Sequence, residues 1–214
     1  MKILFWNVDT QIDFMNSKGK LYVQRAEEII PNLNILTDLA YEKNIKVVNT
    51  CDYHMQNDKE LSATPNFKTT FPPHCLAGTE GQEFIAATYP KVFVDNYYIV
   101  SYLDEAVYKH QINRSRNIIL YKNHFDIFQG NKHIDEVLRH LKPDTVVVYG
   151  VATNVCVNFA VLGLLERNIK VIVVKDAIKE LPNLPVNDVY VHWISKGVRL
   201  ITTKNIIDYI RKEK

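Results

Sequence analysis

The chain has 214 residues, of which 47% are hydrophobic, and a formal net charge of only +2. This length suits one large domain or two small ones and supplies enough apolar side chains for a full core. Basic residues cluster nowhere beyond a short Lys-Glu-Lys tail, and no apolar run approaches the about 18 residues of a membrane span, so nucleic acid and membrane are not expected partners. Three well-separated cysteines and no recognisable signal segment predict a reducing, cytoplasmic location.

The predicted elements alternate between strands and helices. In chain order they are strand 2–8, helix 24–43, strand 45–50, strand 117–121, helix 131–141, strand 144–149, helix 155–167, strand 169–174, a helix near 186–196, strand 198–202 and helix 204–213. Pro31 lies inside the first helix, so a start at Pro31 is the alternative for that helix. Strands separated by helices predict βαβ units, and hence an α/β fold: a three-layer α/β/α sandwich with a mostly parallel central sheet.

Residues 51–116 are the exception, because they show little clean periodicity. The segment contains aromatic residues, two histidines and the sequence Phe71-Pro72-Pro73-His74, which is a poor composition for disorder. Long connections inside compact domains are usually functional. We therefore predict a single domain over residues 1–214, with an insertion at about 51–116 that carries part of a functional site.

Four predicted strands deliver reactive side chains to one edge of the sheet. They end at Asp9, at Asp52, at Lys122 and at the turn that leads to Cys156. Ligands of parallel sheets bind at the carboxyl ends of the strands. Cys156 opens a helix, where backbone N–H groups and the helix dipole favour a thiolate and could hold an oxyanion. The pattern predicts a nucleophilic cysteine.

Asp9 and Lys122 are the predicted partners of this nucleophile. A thiol with an ordinary pKa of about 8.5 needs a base or a neighbouring cation to attack at neutral pH. Asp9 can accept the thiol proton and later return it to a leaving group, while Lys122 can keep Asp9 ionised and stabilise the thiolate. His124, close to Lys122 in the sequence, is the alternative base.

A second cluster begins with Asp52 and His54, two residues apart on a segment that leaves a strand. Alternate positions of an extended segment project to the same side, so both side chains could contact one ion. With His74 in the same connection, imidazole and carboxylate ligands favour zinc, iron or manganese over calcium or magnesium. The alternative is that both histidines are surface or hydrogen-bonded residues.

These residues belong to motifs that extend over essentially the whole chain. The motifs are Val8-Asp9-Thr10-Gln11-Ile12-Asp13-Phe14, Asp52-Tyr53-His54, Phe71-Pro72-Pro73-His74-Cys75-Leu76-Ala77-Gly78-Thr79-Glu80-Gly81, Lys122 and Gly150-Val151-Ala152-Thr153-Asn154-Val155-Cys156-Val157. On these motifs the chain resembles the nicotinamidase branch of the isochorismatase-like cysteine hydrolases. The resemblance implies a catalytic triad of Asp9, Lys122 and Cys156. It also implies a metal held by Asp52, His54 and His74, for which Glu60 is the candidate fourth ligand and Asp58 the second choice.

The same resemblance implies how the substrate is bound and converted. The backbone amides of Ala152 and Cys156 form the oxyanion hole, a cis peptide bond precedes Ala152, and Phe14, Phe71 and Val151 belong to the substrate pocket. The expected reaction is the metal-dependent conversion of nicotinamide, or a close aromatic carboxamide such as pyrazinamide, to the acid plus ammonia through a cysteine thioester. By family analogy the expected assembly is a homo-oligomer.

Two departures from the family pattern keep other functions open. After the catalytic Lys the family typically carries an Asp-Ser-Tyr-Ser-like stretch, whereas residues 123–130 read Asn-His-Phe-Asp-Ile-Phe-Gln-Gly, and Asn154 stands where Asp is common. The first alternative is a related hydrolase acting on another amide, such as an N-carbamoyl or ureido substrate. The others are a binding protein that keeps the fold without turnover, and a thiol redox protein that uses Cys51 or Cys75.

Overall fold

The structure, a computed structural model, describes residues 1–90, 96–182 and 184–212. Within these residues the strands are β1 (Ile3–Val8), β2 (Val47–Asp52), β3 (Tyr97–Ser101), β4 (Asn117–Lys122), β5 (Thr145–Val151), β6 (Lys170–Lys179) and β7 (Arg199–Ile201). The α-helices are α1 (Ile12–Met15), α2 (Ile30–Glu42), α3 (Lys109–Arg114), α4 (Ile127–Gly130), α5 (Ile134–Leu141), α6 (Cys156–Glu166), α7 (Asn187–Ser195) and α8 (Thr203–Lys212). Two short 3-10 helices are Ala26–Ile29 and Glu80–Gln82.

The seven strands form one parallel sheet in the order β3-β4-β2-β1-β5-β6-β7. Strand β5 is buried along its whole length, as expected for a β-branched run covered on both faces. Strand β2 lies on one side of β1 and β5 lies on the other side, so the direction in which strands are added to the sheet reverses at β1. A crevice at the carboxyl ends of strands at such a switch point is where open α/β sheets bind ligands.

Helices pack on the sheet in two groups. Helix α2 contacts α8, and both contact β6, whereas α6 packs against β1, β5 and β6 together with α4 and α7. The predicted α/β class with a parallel central sheet is confirmed. In the part of the chain that the structure describes, no helix is both long and apolar enough to cross a membrane.

The ends of several elements differ from the prediction. Helix α2 begins at Ile30 with Pro31 in its first turn, so the later of the two expected starts is confirmed. Strand β6 continues to Lys179 because its pairing with β5 resumes after an irregularity beyond residue 174. The segment 51–116, in which no element was predicted, contains β3, α3 and the 3-10 helix Glu80–Gln82.

Candidate active site

The register of the sheet brings the predicted strand-end residues together. Asp52 at the end of β2 lies directly opposite Lys122 at the end of β4. Val8, the residue before Asp9, lies opposite Gly150 in β5. The carboxyl ends of these four strands therefore form one edge, as the parallel arrangement predicts.

The Lys122 ammonium group links the predicted catalytic residues at this edge. Its Nζ lies 3.0 Å from Asp9 Oδ2 and 3.9 Å from Cys156 Sγ, and it also donates to Asp52 Oδ1. All four side chains are buried. The contacts with Asp9 and Cys156 are those expected of a triad, whereas the contact with Asp52 was not predicted.

Burial shifts the pKa values of the catalytic side chains. It raises the pKa of the Cys156 thiol well above its ordinary value, although the Lys122 ammonium acts in the opposite direction. Burial also raises the pKa of Asp9, opposed by Lys122 and by a hydrogen bond that Thr50 Oγ1 donates to Asp9 Oδ1 at 2.6 Å. Burial thus acts against the thiolate that the helix N-terminus favours. A carboxylate oxygen of Asp9 lies within 4.8 Å of Cys156 Sγ.

The turn between β5 and α6 presents the thiol. Gly150 has a φ of +117°, and a Cβ at this position would lie 2.1 Å from the carbonyl oxygen of Val8, so a glycine is required for β1 and β5 to approach. The Val151–Ala152 peptide bond is cis, as the resemblance implies. Cys156 is the first residue of α6. The backbone of Ala152 and Cys156 thus lies at a helix N-terminus, where an oxyanion hole is expected.

Four buried side chains converge beside the triad, and their ligand atoms lie within 4.8 Å of one another: Asp52, His54, Glu60 and His74. His54 Nε2 has no hydrogen-bond partner and lies 3.9 Å from Asp52 Oδ2 and 3.8 Å from Glu60 Oε1. His74 Nδ1 donates to the carbonyl of Pro72 at 2.7 Å, which leaves its Nε2 3.3 Å from Asp52 Oδ2. A cation would satisfy an unpartnered imidazole nitrogen that faces two carboxylates, so these residues fit a divalent transition metal.

The pKa values of this ligand cluster shift in different directions. Against the effect of burial, the hydrogen bond and the charge of Asp52 raise the pKa of His74. Burial lowers the pKa of His54 to about 4, so its imidazole is neutral, as a ligand must be. Burial raises the pKa of Glu60 to about 8, and the neighbouring Asp52 carboxylate adds to the rise. Asp58, the second choice for a fourth ligand, lies 3.3 Å from His54 Nδ1 on the opposite side of the ring. Asp58 therefore orients the imidazole, and Glu60 is the residue that joins the cluster.

An apolar cavity opens beside the thiol and the ligand cluster. It is lined by Phe14, Leu21, Val23, Asp52, Glu60, Phe71, His74, Phe125, Ala152, Val155, Cys156 and Leu181. Phe14 and Phe71 were predicted to belong to the pocket, whereas Val151 is fully buried and lies outside the lining. Sequence reasoning missed five apolar lining residues: Leu21, Val23, Phe125, Val155 and Leu181. Two of them carried a signal, because Phe125 lies in segment 123–130, which differs from the family pattern, and Val155 lies in the motif that contains Cys156.

A wider cleft of about 580 Å³ lies next to this cavity and shares His74 with it. Its lining includes Asp13, Lys18, Lys20 and Glu80, but none of the triad. The thiol therefore faces the apolar cavity rather than the wider cleft.

His124, the alternative base, is engaged elsewhere. Its Nδ1 accepts the amide N–H of Asp126 at 3.1 Å, and its ring lies 4.1 Å from the ring of Phe125. Burial lowers the pKa of His124. Because Asp9 has a carboxylate oxygen within 4.8 Å of Cys156 Sγ and contacts Lys122 at 3.0 Å, the geometry favours Asp9 as the base.

The other two cysteines, Cys51 and Cys75, are fully buried and form no disulfide. Burial raises the pKa of both thiols well above the ordinary value. Neither lines the cavity that contains Cys156. These observations favour a packing role for both over a role in thiol redox chemistry.

Two buried polar residues of the first motif hold the site together. Gln11 Oε1 accepts the amide N–H of Asp52 at 2.7 Å, and its Nε2 donates to the carbonyl of Asp52 at 2.8 Å. The Asp13 carboxylate accepts the amide N–H of Cys75, next to His74, at 2.7 Å. Gln11 and Asp13 therefore position the segments that carry two candidate ligands. The sequence could not show this, because both partners are distant along the chain.

Comparisons with known proteins give the lineage of the chain. The isochorismatase domain matches residues 3–204. This chain belongs to the isochorismatase family. Among isochorismatase relatives, the nicotinamidase of Escherichia coli (strain K12) is 27% identical over 184 residues, which cover 79% of each protein. The chain therefore lies in the nicotinamidase branch of the family.

Solved structures of isochorismatase relatives share the fold. The pyrazinamidase of Pyrococcus horikoshii, solved in complex with zinc, is 25% identical with a TM-score of 0.72, and the match covers 94% of this chain and 99% of that one. The N-carbamoylsarcosine amidase of Thermoplasma acidophilum is 22% identical with a TM-score of 0.71, and covers 95% and 97%.

Proposed function

We propose that this protein is a metal-dependent cysteine amidohydrolase that converts nicotinamide, or a close aromatic carboxamide such as pyrazinamide, to the acid and ammonia. Its family membership and nicotinamidase relatives make it a hydrolase of amide bonds. The observation that carries the proposal is the contact of Lys122 with both Asp9 and Cys156, beside a buried cluster of metal-type ligands. Such an activity would serve the salvage of pyridine nucleotides.

The chain's own residues support a two-step acyl transfer. Asp9 accepts the thiol proton of Cys156 as the sulfur attacks the carboxamide carbon. The C–N bond then breaks as Asp9 returns the proton to the departing ammonia, which leaves a thioester on Cys156. Asp9 next takes a proton from water as the water oxygen attacks the thioester carbon, and it returns this proton to the Cys156 sulfur as the C–S bond breaks and the acid leaves. Lys122 keeps the carboxylate in place, and the backbone amides of Ala152 and Cys156 stabilise the oxyanion.

The fit of Asp52, His54, Glu60 and His74 to a cation supports metal dependence. When bound, a divalent transition metal would supply a Lewis acid for the ring nitrogen of the substrate and for water. Two imidazoles and two carboxylates suit zinc, with iron and manganese as the alternatives. The Pyrococcus horikoshii relative, whose structure contains zinc, supports the same choice.

The aromatic side chains that line the cavity support an aromatic substrate, for which the free space of about 20 Å³ in this structure would have to widen. The rings of Phe71 and Phe125 have centroids 6.0 Å apart at an interplanar angle of 73°, and the ring of Phe14 lies 5.3 Å from that of His74. Aromatic side chains such as these can pack against the faces and edges of a flat ring. Among the described lining residues, the carboxylate and imidazole groups all belong to the ligand cluster, so the remaining wall favours an apolar ring.

Ammonia release from a small substrate panel tests the proposal. The panel contains nicotinamide, pyrazinamide, benzamide as the matched compound without a ring nitrogen, and an N-carbamoyl amino acid. We expect the zinc-loaded protein to hydrolyse nicotinamide and pyrazinamide faster than benzamide, and we expect chelator treatment to abolish turnover. Release from the N-carbamoyl compound alone would move the function to the other substrate class.

Cys156→Ala tests the mechanism separately from the substrate. This variant should release no ammonia from any member of the panel, because the thioester cannot form. It should keep the thermal unfolding midpoint of the wild type, since the side chain loses only its sulfur. Turnover by a folded Cys156→Ala variant would refute the nucleophilic role.

A further inference from the structure

Asn154 uses both ends of its side-chain amide to hold the chain beyond β6. Its Nδ2 donates to the carbonyl oxygens of Leu181 at 2.9 Å and Leu184 at 3.2 Å, and its Oδ1 accepts the amide N–H of Leu181 at 3.0 Å. The side chain is half-buried, and its partners lie 27 and 30 residues away in the sequence. Asn154 therefore ties the β5–α6 turn to the segment that follows β6.

Both tied segments carry walls of the same cavity. Val155 and Cys156, which follow Asn154 directly, line the cavity from the turn, and Leu181 lines it from the segment after β6. The amide N–H of Thr153 adds a hydrogen bond to the carbonyl of Lys179 at 2.8 Å. The hydrogen bonds made at residues 153–154 thus set the position of the Leu181 side chain relative to the reactive thiol.

An amide side chain is needed for this set of hydrogen bonds. Two of the three partners of Asn154 are carbonyl oxygens, which only accept, and the third is an N–H group, which only donates. A carboxylate of the same shape can accept but cannot donate, so Asn154→Asp would place a negative oxygen against the carbonyls of Leu181 and Leu184. The substitution removes the contact without changing side-chain size.

We propose that Asn154 is a positioning residue that holds Leu181 as a wall of the cavity and so limits the size of the acyl group that reaches Cys156. The choice of substrate rests on the proposed function, whereas the position of the wall does not. Asn154 acts through Leu181, because its own side-chain hydrogen bonds are made to backbone groups of Leu181 and Leu184.

Steady-state kinetics with nicotinamide provide the first test. Asn154→Asp and Leu181→Ala should each raise KM about tenfold, equivalent to about 1.4 kcal/mol, with kcat lowered less than about threefold, because the wall contributes to binding rather than to chemistry. The double variant should match the single variants, since both changes remove the same wall. The exposed Asn205→Asp is the charge-matched control and should behave as wild type. Additive effects on KM, or a loss confined to kcat, would overturn the proposal.

Alkylation of Cys156 provides a second test that needs no turnover. Cys51 and Cys75 are fully buried, so mass spectrometry can follow modification of Cys156. Asn154→Asp and Leu181→Ala should raise the rate with N-phenyl-iodoacetamide, relative to the rate with iodoacetamide, by about tenfold. An unchanged ratio would contradict the positioning role. If Asn154→Asp fails to fold, the uncharged Asn154→Ala replaces it in both tests.

The two tests separate this inference from the proposed function. If the wild type releases no ammonia from any carboxamide but the alkylation ratio rises in the variants, the substrate assignment is wrong and the role of Asn154 stands. If the wild type hydrolyses nicotinamide and both KM and the alkylation ratio stay unchanged in the variants, the role of Asn154 is wrong and the function stands.

Discussion

Lys122→Met should cost the protein a large part of its stability. The Lys122 Nζ lies 3.0 Å from Asp9 Oδ2 and bonds Asp52 as well, and the three side chains are at most 1% exposed. At an effective dielectric constant of about 20, unit charges 3.0 Å apart attract by about 5 to 6 kcal/mol. Removal of one partner from a buried ion pair costs about 3 to 5 kcal/mol, against a total unfolding free energy of about 5 to 15 kcal/mol.

Urea unfolding of chelator-treated protein, followed by circular dichroism, measures this loss. Chelation is needed because a metal at Asp52 would replace part of the missing positive charge. The matched control is Asp9→Asn combined with Lys122→Met, which removes one carboxylate together with the cation. The double variant should recover about 2 kcal/mol while staying inactive. A loss below about 1 kcal/mol in Lys122→Met would refute the reasoning, since the carboxylates would then not depend on the ammonium group.

Three further predictions follow from single contacts. Thr50→Val removes the 2.6 Å hydrogen bond that lowers the pKa of Asp9, so the acidic limb of the pH profile of kcat/KM for ammonia release should move to higher pH; an unmoved limb would argue against Asp9 as the base. Gly150→Ala places a Cβ 2.1 Å from a backbone oxygen of β1, so the free energy of unfolding measured in urea should fall by clearly more than about 1 kcal/mol. Gly197→Ala is the control and should lose about 1 kcal/mol, because φ is +85° there but no atom lies within 4 Å. His54→Ala should lose the bound metal, whereas the control Thr50→Val should keep it. The metal content of the purified proteins is measured by inductively coupled plasma mass spectrometry, and an equal content in both would show that His54 is not a ligand.

The arrangement of strands explains why part of the site was predictable. Apolar runs located the ends of β1, β4 and β5, and a parallel sheet places all such ends at one edge. These two facts place Asp9, Lys122 and Cys156 at the same edge of the sheet, whereas the distances between them depend on the strand order. The contacts among the three residues agree with that expectation.

Features that depend on which strands are neighbours could not be predicted. Asp52 contacts Lys122 because β2 lies next to β4, and no local pattern encodes that order. The edge strand β3 is short and partly exposed, so it lacks the continuous apolar run of the central strands. Leu181 reaches the cavity because β6 continues beyond the polar Lys175 and Asp176, where the strand pattern ends.

The state of the Cys156 thiol shows the limit of an argument from helix position alone. The N-terminus of α6 favours a negative charge, and this effect could be recognised in the sequence. The desolvation of the sulfur depends on how completely the surrounding chain covers it, which only the folded structure shows. Cys156 is 7% exposed, and burial outweighs the nearby Lys122 ammonium.

The ion pairs of Lys122 also bear on how the sheet folds. The three charges come from the ends of three adjacent strands, β4, β2 and β1, and they meet only when all three strands are in register. A slip of one residue in any of these strands would turn a charged side chain toward the opposite face and leave an opposite charge unpaired in the interior. The lysine that organises the chemistry of the site thereby disfavours misaligned pairings of the strands that form it.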